Sequence, residues 1–192
     1  MSAIKSIKAI QVLDSRGVPT VACRVSLDNG TSAEVKIPSG ASTGSKEALE
    51  LRDNESIFLG KGVMRAVKNI NTVIQPAFIG RNPFEQEKID NELILLDGTD
   101  SKSKLGANSI LAVSMAVKKL SARIKKVPLY KTFLVKNDFK LPYPLMNIIN
   151  GGVHANNSLR IQEFMIRPDS AKNFSDAMRI CFLVIKNLGK LI

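Results

Sequence analysis

Ile110, Val113, Val117, Leu120 and Ile124 recur at intervals of three and four. That spacing gathers one continuous apolar stripe only if residues from about Gly106 to Lys125 form a single helix. The first forty residues follow a different period. Val21, Cys23, Val25 and Leu27 alternate with other positions, Asp28-Asn29-Gly30 interrupts, and Ala33, Val35 and Ile37 resume the alternation. Period two predicts strands with one covered face, and Asp-Asn-Gly offers the positive-φ residues of a tight hairpin. With an earlier turn over Asp14 to Pro19, the opening reads as a three-stranded antiparallel meander.

Between these segments, Asn82 and Pro83 are expected as the N-cap and first position of a helix that places Ile89, Leu93 and Leu96 on one face. A boundary is expected near Asn137 to Pro144, where polar residues give way to a proline-bracketed apolar stretch. Beyond it, Leu145 to Ile149 and Ile161 to Ile166 read as short buried strands separated by a Gly151-Gly152 loop. Phe174, Met178, Cys181, Ile185 and Leu188 mark an amphipathic final helix. No repeat of fixed period is present. The division expected is 1–138 for the first domain and 139–192 for the second, which two strands and a helix leave incomplete.

At 192 residues and 44% hydrophobic, the chain can bury a core in one or two domains. No run of roughly 18 apolar residues is present, and the N-terminus lacks an apolar stretch behind basic residues, so a cytoplasmic protein without a membrane span is expected. Cys23 and Cys181 lie far apart with no histidine nearby, which fits two buried reduced thiols rather than a disulfide or a zinc site. The net charge is +11, but the cations are spread out. Their densest group, Lys118, Lys119, Arg123, Lys125 and Lys126, falls at a helix C-terminus, where cations complement the macrodipole. Trp is absent and aromatics make up 5% of the chain, so this group reads as a solvated face and no nucleic-acid partner is expected.

Two segments carry chemistry. Ser39 to Gly44 is a loop of glycine and hydroxyls that can fold over an anion or offer a hard oxygen to Mg²⁺; Ser45 after Gly44 excludes a P-loop. His154, the only histidine, follows Asn150-Gly151-Gly152, and Gln162-Glu163 open the next strand. An imidazole, an amide and a carboxylate at one end of neighbouring strands can bind a substrate hydroxyl or carboxylate and relay protons. A lone histidine is also compatible with a purely structural role.

Taken together, Asp14-Ser15-Arg16-Gly17 with Pro19-Thr20-Val21, Pro38 to Gly44, Glu47 to Asp53, Leu96 to Asn108, Pro128-Leu129-Tyr130, Met146 to Ala155 and Gln162 to Ile166 resemble enolase segments, in family order along nearly the whole chain. The resemblance implies an α+β N-terminal domain, a three-stranded antiparallel meander plus helices, followed by an incomplete α/β barrel fragment. It implies a glycolytic hydro-lyase that dehydrates 2-phosphoglycerate to phosphoenolpyruvate with two Mg²⁺ ions, working in the family as a homodimer. By matching position, Ser42 resembles the loop ligand to the second magnesium, His154 the mobile substrate-loop histidine, and Gln162 and Glu163 the substrate-binding amide and carboxylate. Removing a proton beside a carboxylate adds charge to an anionic substrate, which is why the enolase superfamily sets Mg²⁺ and a positioned base around it, while a closing loop excludes water.

The resemblance further places the family's lysine base, proton-donating glutamate and three metal carboxylates after Ile192. Residues 1–192 alone are therefore expected to be inactive, with weak or absent Mg²⁺ binding, and a complementary C-terminal chain is a possible partner. The rival reading is a non-catalytic remnant or interaction module that binds a partner chain or an anionic surface. Departures from the pattern are Val18 for Asn, Ala22 for a Glu associated with the dimer contact, Lys36 for a small apolar residue, Arg160 for an acidic or small one, and Cys181-Phe182-Leu183 for Gly-Ala-Glu.

Overall fold

The computed structural model describes residues 3–40, 44–133 and 139–191. The chain divides into two compact units, Met1–Val135 and Lys136–Ile192.

The first unit opens with β1 (Ile4–Leu13), β2 (Pro19–Leu27) and β3 (Ser32–Lys36), an antiparallel sheet in the order β1-β2-β3. In its register Ala9 faces Cys23 and Cys23 faces Val35, so the residues of the period-two pattern share one covered face. Val21, Cys23, Val25, Leu27, Ala33, Val35 and Ile37 are all buried. At the first turn the Asp14 carboxylate accepts from the Arg16 and Val18 backbone N–H groups. At the second, only Gly30 takes a positive φ, +80°; Asn29 instead turns the chain by accepting the Thr31 N–H on its side chain.

Behind the sheet runs helical chain over residues 64–78: α1 (Met64–Asn69), a π-helical segment (Ile70–Ile74) and α2 (Gln75–Phe78). Val63, Ala66, Val67, Ile70, Ile74 and Phe78 supply its buried stripe. Pro76 has no N–H to give and its ring crowds the preceding turn; the wider i→i+5 turns directly before it accommodate that without ending the helix. Asn71 and Gln75 turn their amides to the β1 backbone at Ala9 and Ile7, fixing helix to strand.

The helix expected from Asn82 starts later. In α3 (Gln86–Asp97), Glu85 is the N-cap position, because Asn82 accepts the Phe84 N–H on its side chain and the Glu85 N–H on its carbonyl, closing a turn of its own. Ile89 and Leu93 are buried and Leu96 packs against the core. The fourth helix, α4 (Ala107–Ile124), matches the expected span and lays Val113, Ala116, Val117 and Leu120, each fully buried, over β2 and β3. Cys23 lies in this core, where burial, assisted by the Glu34 charge, pushes its thiol up to about 12, so it stays protonated as packing. Both cysteines are free and buried.

The second unit contains β4 (Met146–Asn150), β5 (Glu163–Ile166) and α5 (Phe174–Leu191). The two strands pair antiparallel. They are not buried as expected: Phe164 and Met165 are exposed, and Leu145 and Ile161 lie outside the strands and exposed. A two-stranded sheet has two open faces until further layers cover it, and residues 159–162 fold back on the loop instead of extending β5. Of α5, Ala177 and Cys181 are buried while Met178, Phe182, Leu183, Val184 and Ile185 are exposed. Among the described residues no helix is long and apolar enough to cross a membrane.

Asp97 closes α3 as a buried acid, 1% exposed. Burial raises its pKa, but hydrogen bonds from the Thr99 hydroxyl and from the Leu105 and Thr99 N–H groups, with the Lys102 charge, outweigh it and hold the carboxyl below its usual range. A depressed folded pKa contributes stability above the unfolded value of about 3.9 and loses it as pH falls through the folded value. Asp97→Asn should therefore cost about 1–3 kcal/mol at neutral pH and flatten the acid limb of stability, measured by urea unfolding at pH 2–7. Hydrogen exchange should show β2, β3 and α4 protected at least about tenfold more than β4, β5 and α5, with self-association through the exposed apolar residues of the second unit; equal protection in a dilute monomer would contradict this.

Candidate functional site

Two glycines shape the loop between β4 and β5. The Gly151 N–H donates to the Gln162 carbonyl at 2.9 Å and the Gly152 N–H to the Leu159 carbonyl at 2.7 Å, so the loop doubles back on its own backbone. A Cβ at Gly151 would lie 2.3 Å from the Ile161 carbonyl oxygen, and Gly152 holds a φ of +55°. Asn157 ties the fold-back down, giving its amide N–H to the Asn150 carbonyl and accepting the Leu159 N–H. A short 3-10 turn, Gly152–His154, then carries the imidazole toward the start of β5, where Asn150 pairs with Glu163.

Three residues expected at the site meet here. His154 Nδ1 lies 3.2 Å from Glu163 Oε1, and Gln162 Nε2 lies 3.1 Å from His154 Nε2. A neutral ring with its proton on Nδ1 donates to the carboxylate and accepts the amide at Nε2, which satisfies all three groups. The His154 and Glu163 side chains are 22% and 28% exposed, open enough to meet a ligand and covered enough to hold one geometry. Such a trio offers a carboxylate acceptor, an amide donor or acceptor, and a ring that can shuttle a proton.

Ser42 lies outside the described residues. The chain beside it is anchored by a network that sequence reasoning did not identify. Arg52 donates to the Pro19 carbonyl, the Lys61 carbonyl, Ser39 Oγ and Glu50 Oε1, while Ser39 Oγ donates to Glu50 Oε2. Arg16, paired with Asp14, donates to the Ser39 carbonyl at 3.0 Å. A carboxylate and a guanidinium two residues apart in a segment without apolar periodicity were the available signal. Asp53, next along, accepts the Met64 and Arg65 N–H groups and so caps α1 from eleven residues away.

No group of three or more His, Cys, Asp or Glu side chains stands ready for a metal among the described residues.

Residues 4–133 match the model of the enolase N-terminal domain and residues 138–192 that of the enolase C-terminal TIM barrel domain. The chain belongs to the enolase family. It is 65% identical over 193 residues to the enolase of Pelagibacter ubique (strain HTCC1062), an alignment covering 100% of this chain and 46% of that protein. The fold class follows: an α+β N-terminal domain of a three-stranded antiparallel sheet with helices, then the start of the enolase barrel domain.

The fold-back gives this enolase-family loop a testable requirement. Gly151→Ala should destabilise the second unit by about 1–3 kcal/mol and speed proteolysis between residues 151 and 162. Gly189→Ala on α5, where a Cβ meets nothing within 4 Å, should be neutral or slightly stabilising.

Proposed function

We propose that this chain is part of an enolase-type hydro-lyase dehydrating 2-phosphoglycerate to phosphoenolpyruvate, and that His154, Gln162 and Glu163 form its substrate-binding group. The observation that carries the reading is the convergence of these three side chains within 3.2 Å on a loop of a family member. Glu163 accepts the substrate hydroxyl, Gln162 donates to a substrate oxygen, and His154 closes over them, holding or passing a proton at Nδ1 or Nε2. Ser42 is proposed as a hydroxyl ligand to Mg²⁺ when the loop closes. The family resemblance places the metal carboxylates and the lysine base after Ile192, so on this proposal residues 1–192 by themselves bind the ion poorly and turn over no substrate.

On this reading residues 1–138 form the N-terminal domain, 139–192 open the barrel, and the protein is cytoplasmic. Homodimer formation, a family property, is not part of the proposal, because Ala22 stands where the family has a Glu associated with the dimer contact.

The test is phosphoenolpyruvate formation from 2-phosphoglycerate with Mg²⁺, first by the purified chain and then after mixing it with the C-terminal part of a family member. No turnover is expected alone. Activity after mixing should fall about 10²-fold or more on Glu163→Gln or His154→Ala. Steady turnover by the chain alone, abolished by Glu163→Gln, would overturn the claim of inactivity; activity after mixing that both variants leave untouched would overturn the site assignment.

A further inference from the structure

Four basic residues distant in sequence, Arg24, Lys36, Lys119 and Arg123, are brought together by the first unit beside the open edge of its sheet. Ile37 bonds back to Val21 of β2, so in the alternation of an antiparallel ladder Ser32, Glu34 and Lys36 turn their backbone groups away from β2. Two cations from α4 reach that edge: Lys119 Nζ donates to the Glu34 carbonyl at 2.8 Å and Arg123 to the Ser32 carbonyl. On the sheet side stand Arg24, opposite Glu34 in the register, and Lys36, opposite Ala22. Between the two walls lies a groove of about 640 Å³ lined by Arg24, Lys36, Lys119 and Arg123 together with Glu34.

Four cations face one carboxylate there, and that carboxylate is engaged by Arg24 at 2.7 Å. Among the described residues the α4 side chains use one donor each, on carbonyls, with no carboxylate paired to either; an ammonium has two further N–H groups and a guanidinium more. Lys36 stands where the enolase pattern has a small apolar residue, is exposed, and has no hydrogen bond or ion pair with the described residues.

We propose that this groove binds a compact polyphosphate anion. Guanidinium and ammonium groups on opposing walls suit clustered phosphate oxygens. No aromatic side chain lines the groove, so it offers no platform on which a nucleic-acid base could stack. A nucleic-acid backbone, with its phosphates spaced along a strand, would place little of its charge inside, whereas a chain of three linked phosphates places all of it there.

The test is calorimetric titration of the full chain with tripolyphosphate at low salt without divalent cations, with amide chemical shifts followed in parallel. Saturable one-to-one binding is expected, with the largest shifts at the outward amides of Ser32, Glu34 and Lys36. Lys36→Glu should weaken binding about tenfold, the loss of one charge-assisted contact, and Lys36→Gln by less, while circular dichroism stays unchanged because the side chain is solvent-exposed. Lys68→Gln, on the exposed side of α1, should leave affinity intact. Absence of saturable binding, equal affinity in Lys36→Glu, an equal loss in Lys68→Gln, or tighter binding of a single-stranded oligonucleotide at matched salt would each overturn the proposal.

Discussion

The apolar seam between α4 and the sheet is the constraint on which the first unit depends. Val113, Ala116, Val117 and Leu120 share one buried core with Cys23, Val25 and Val35 where α4 crosses β2 and β3. Each of the fully buried valine and leucine side chains contributes roughly 1.5–3 kcal/mol, and the fully buried Ala112 and Ala116 let the helix backbone come close to the strands. Asn108, in the first turn of α4, bonds both the N–H and the carbonyl of Leu51, so the segment before α1 is placed by the same helix that covers the sheet.

From Leu51 the ordering passes to Arg52, whose guanidinium gathers the start of β2, the Ser39 hydroxyl, Glu50 and the Lys61 carbonyl around one charge. With the Arg52 side chain 18% and the Glu50 side chain 30% exposed, each ion keeps some solvent while the pair retains direction. The hydroxyl-rich loop is thus fixed at Ser39 by a network that core packing places. The β4–β5 loop uses another device, glycine backbone against backbone, to bring His154 to Glu163.

Periodicity made the sheet face, α4 and the core side of α3 readable, because burial there follows from spacing alone. Residues 64–78 were harder: Pro76 speaks against a helix, and only the π-helical segment before it shows how the stripe from Val63 to Phe78 continues. Asn82 misled for a related reason, since an asparagine that closes its own turn has the same signature as one that caps a helix. At the site, the trio at 154, 162 and 163 could be anticipated because one loop joins its members. The Arg52 network could not, because its partners at 19, 39 and 61 come from three separate segments. The basic groove was missed likewise: Arg24 and Lys36 join Lys119 and Arg123 only once α4 crosses β3.

The remote cap on α1 has a consequence for the stability of that helix. Short helices nucleate poorly, and the first turn of α1 has its free N–H groups met by Asp53 rather than by a neighbouring residue. That carboxylate arrives only when residues 54–62 have closed, with the Asp53 N–H on the Gly62 carbonyl and Asn54 on Gly60, and Gly62 leaves no room for a Cβ beside it. Capping of α1 therefore waits on closure of that loop, whose entropic cost is offset by the burial of Val67 and Ile70. Opening of residues 54–62 would withdraw the Asp53 carboxylate and so uncap α1, tying the helix to a loop that none of its own residues belong to.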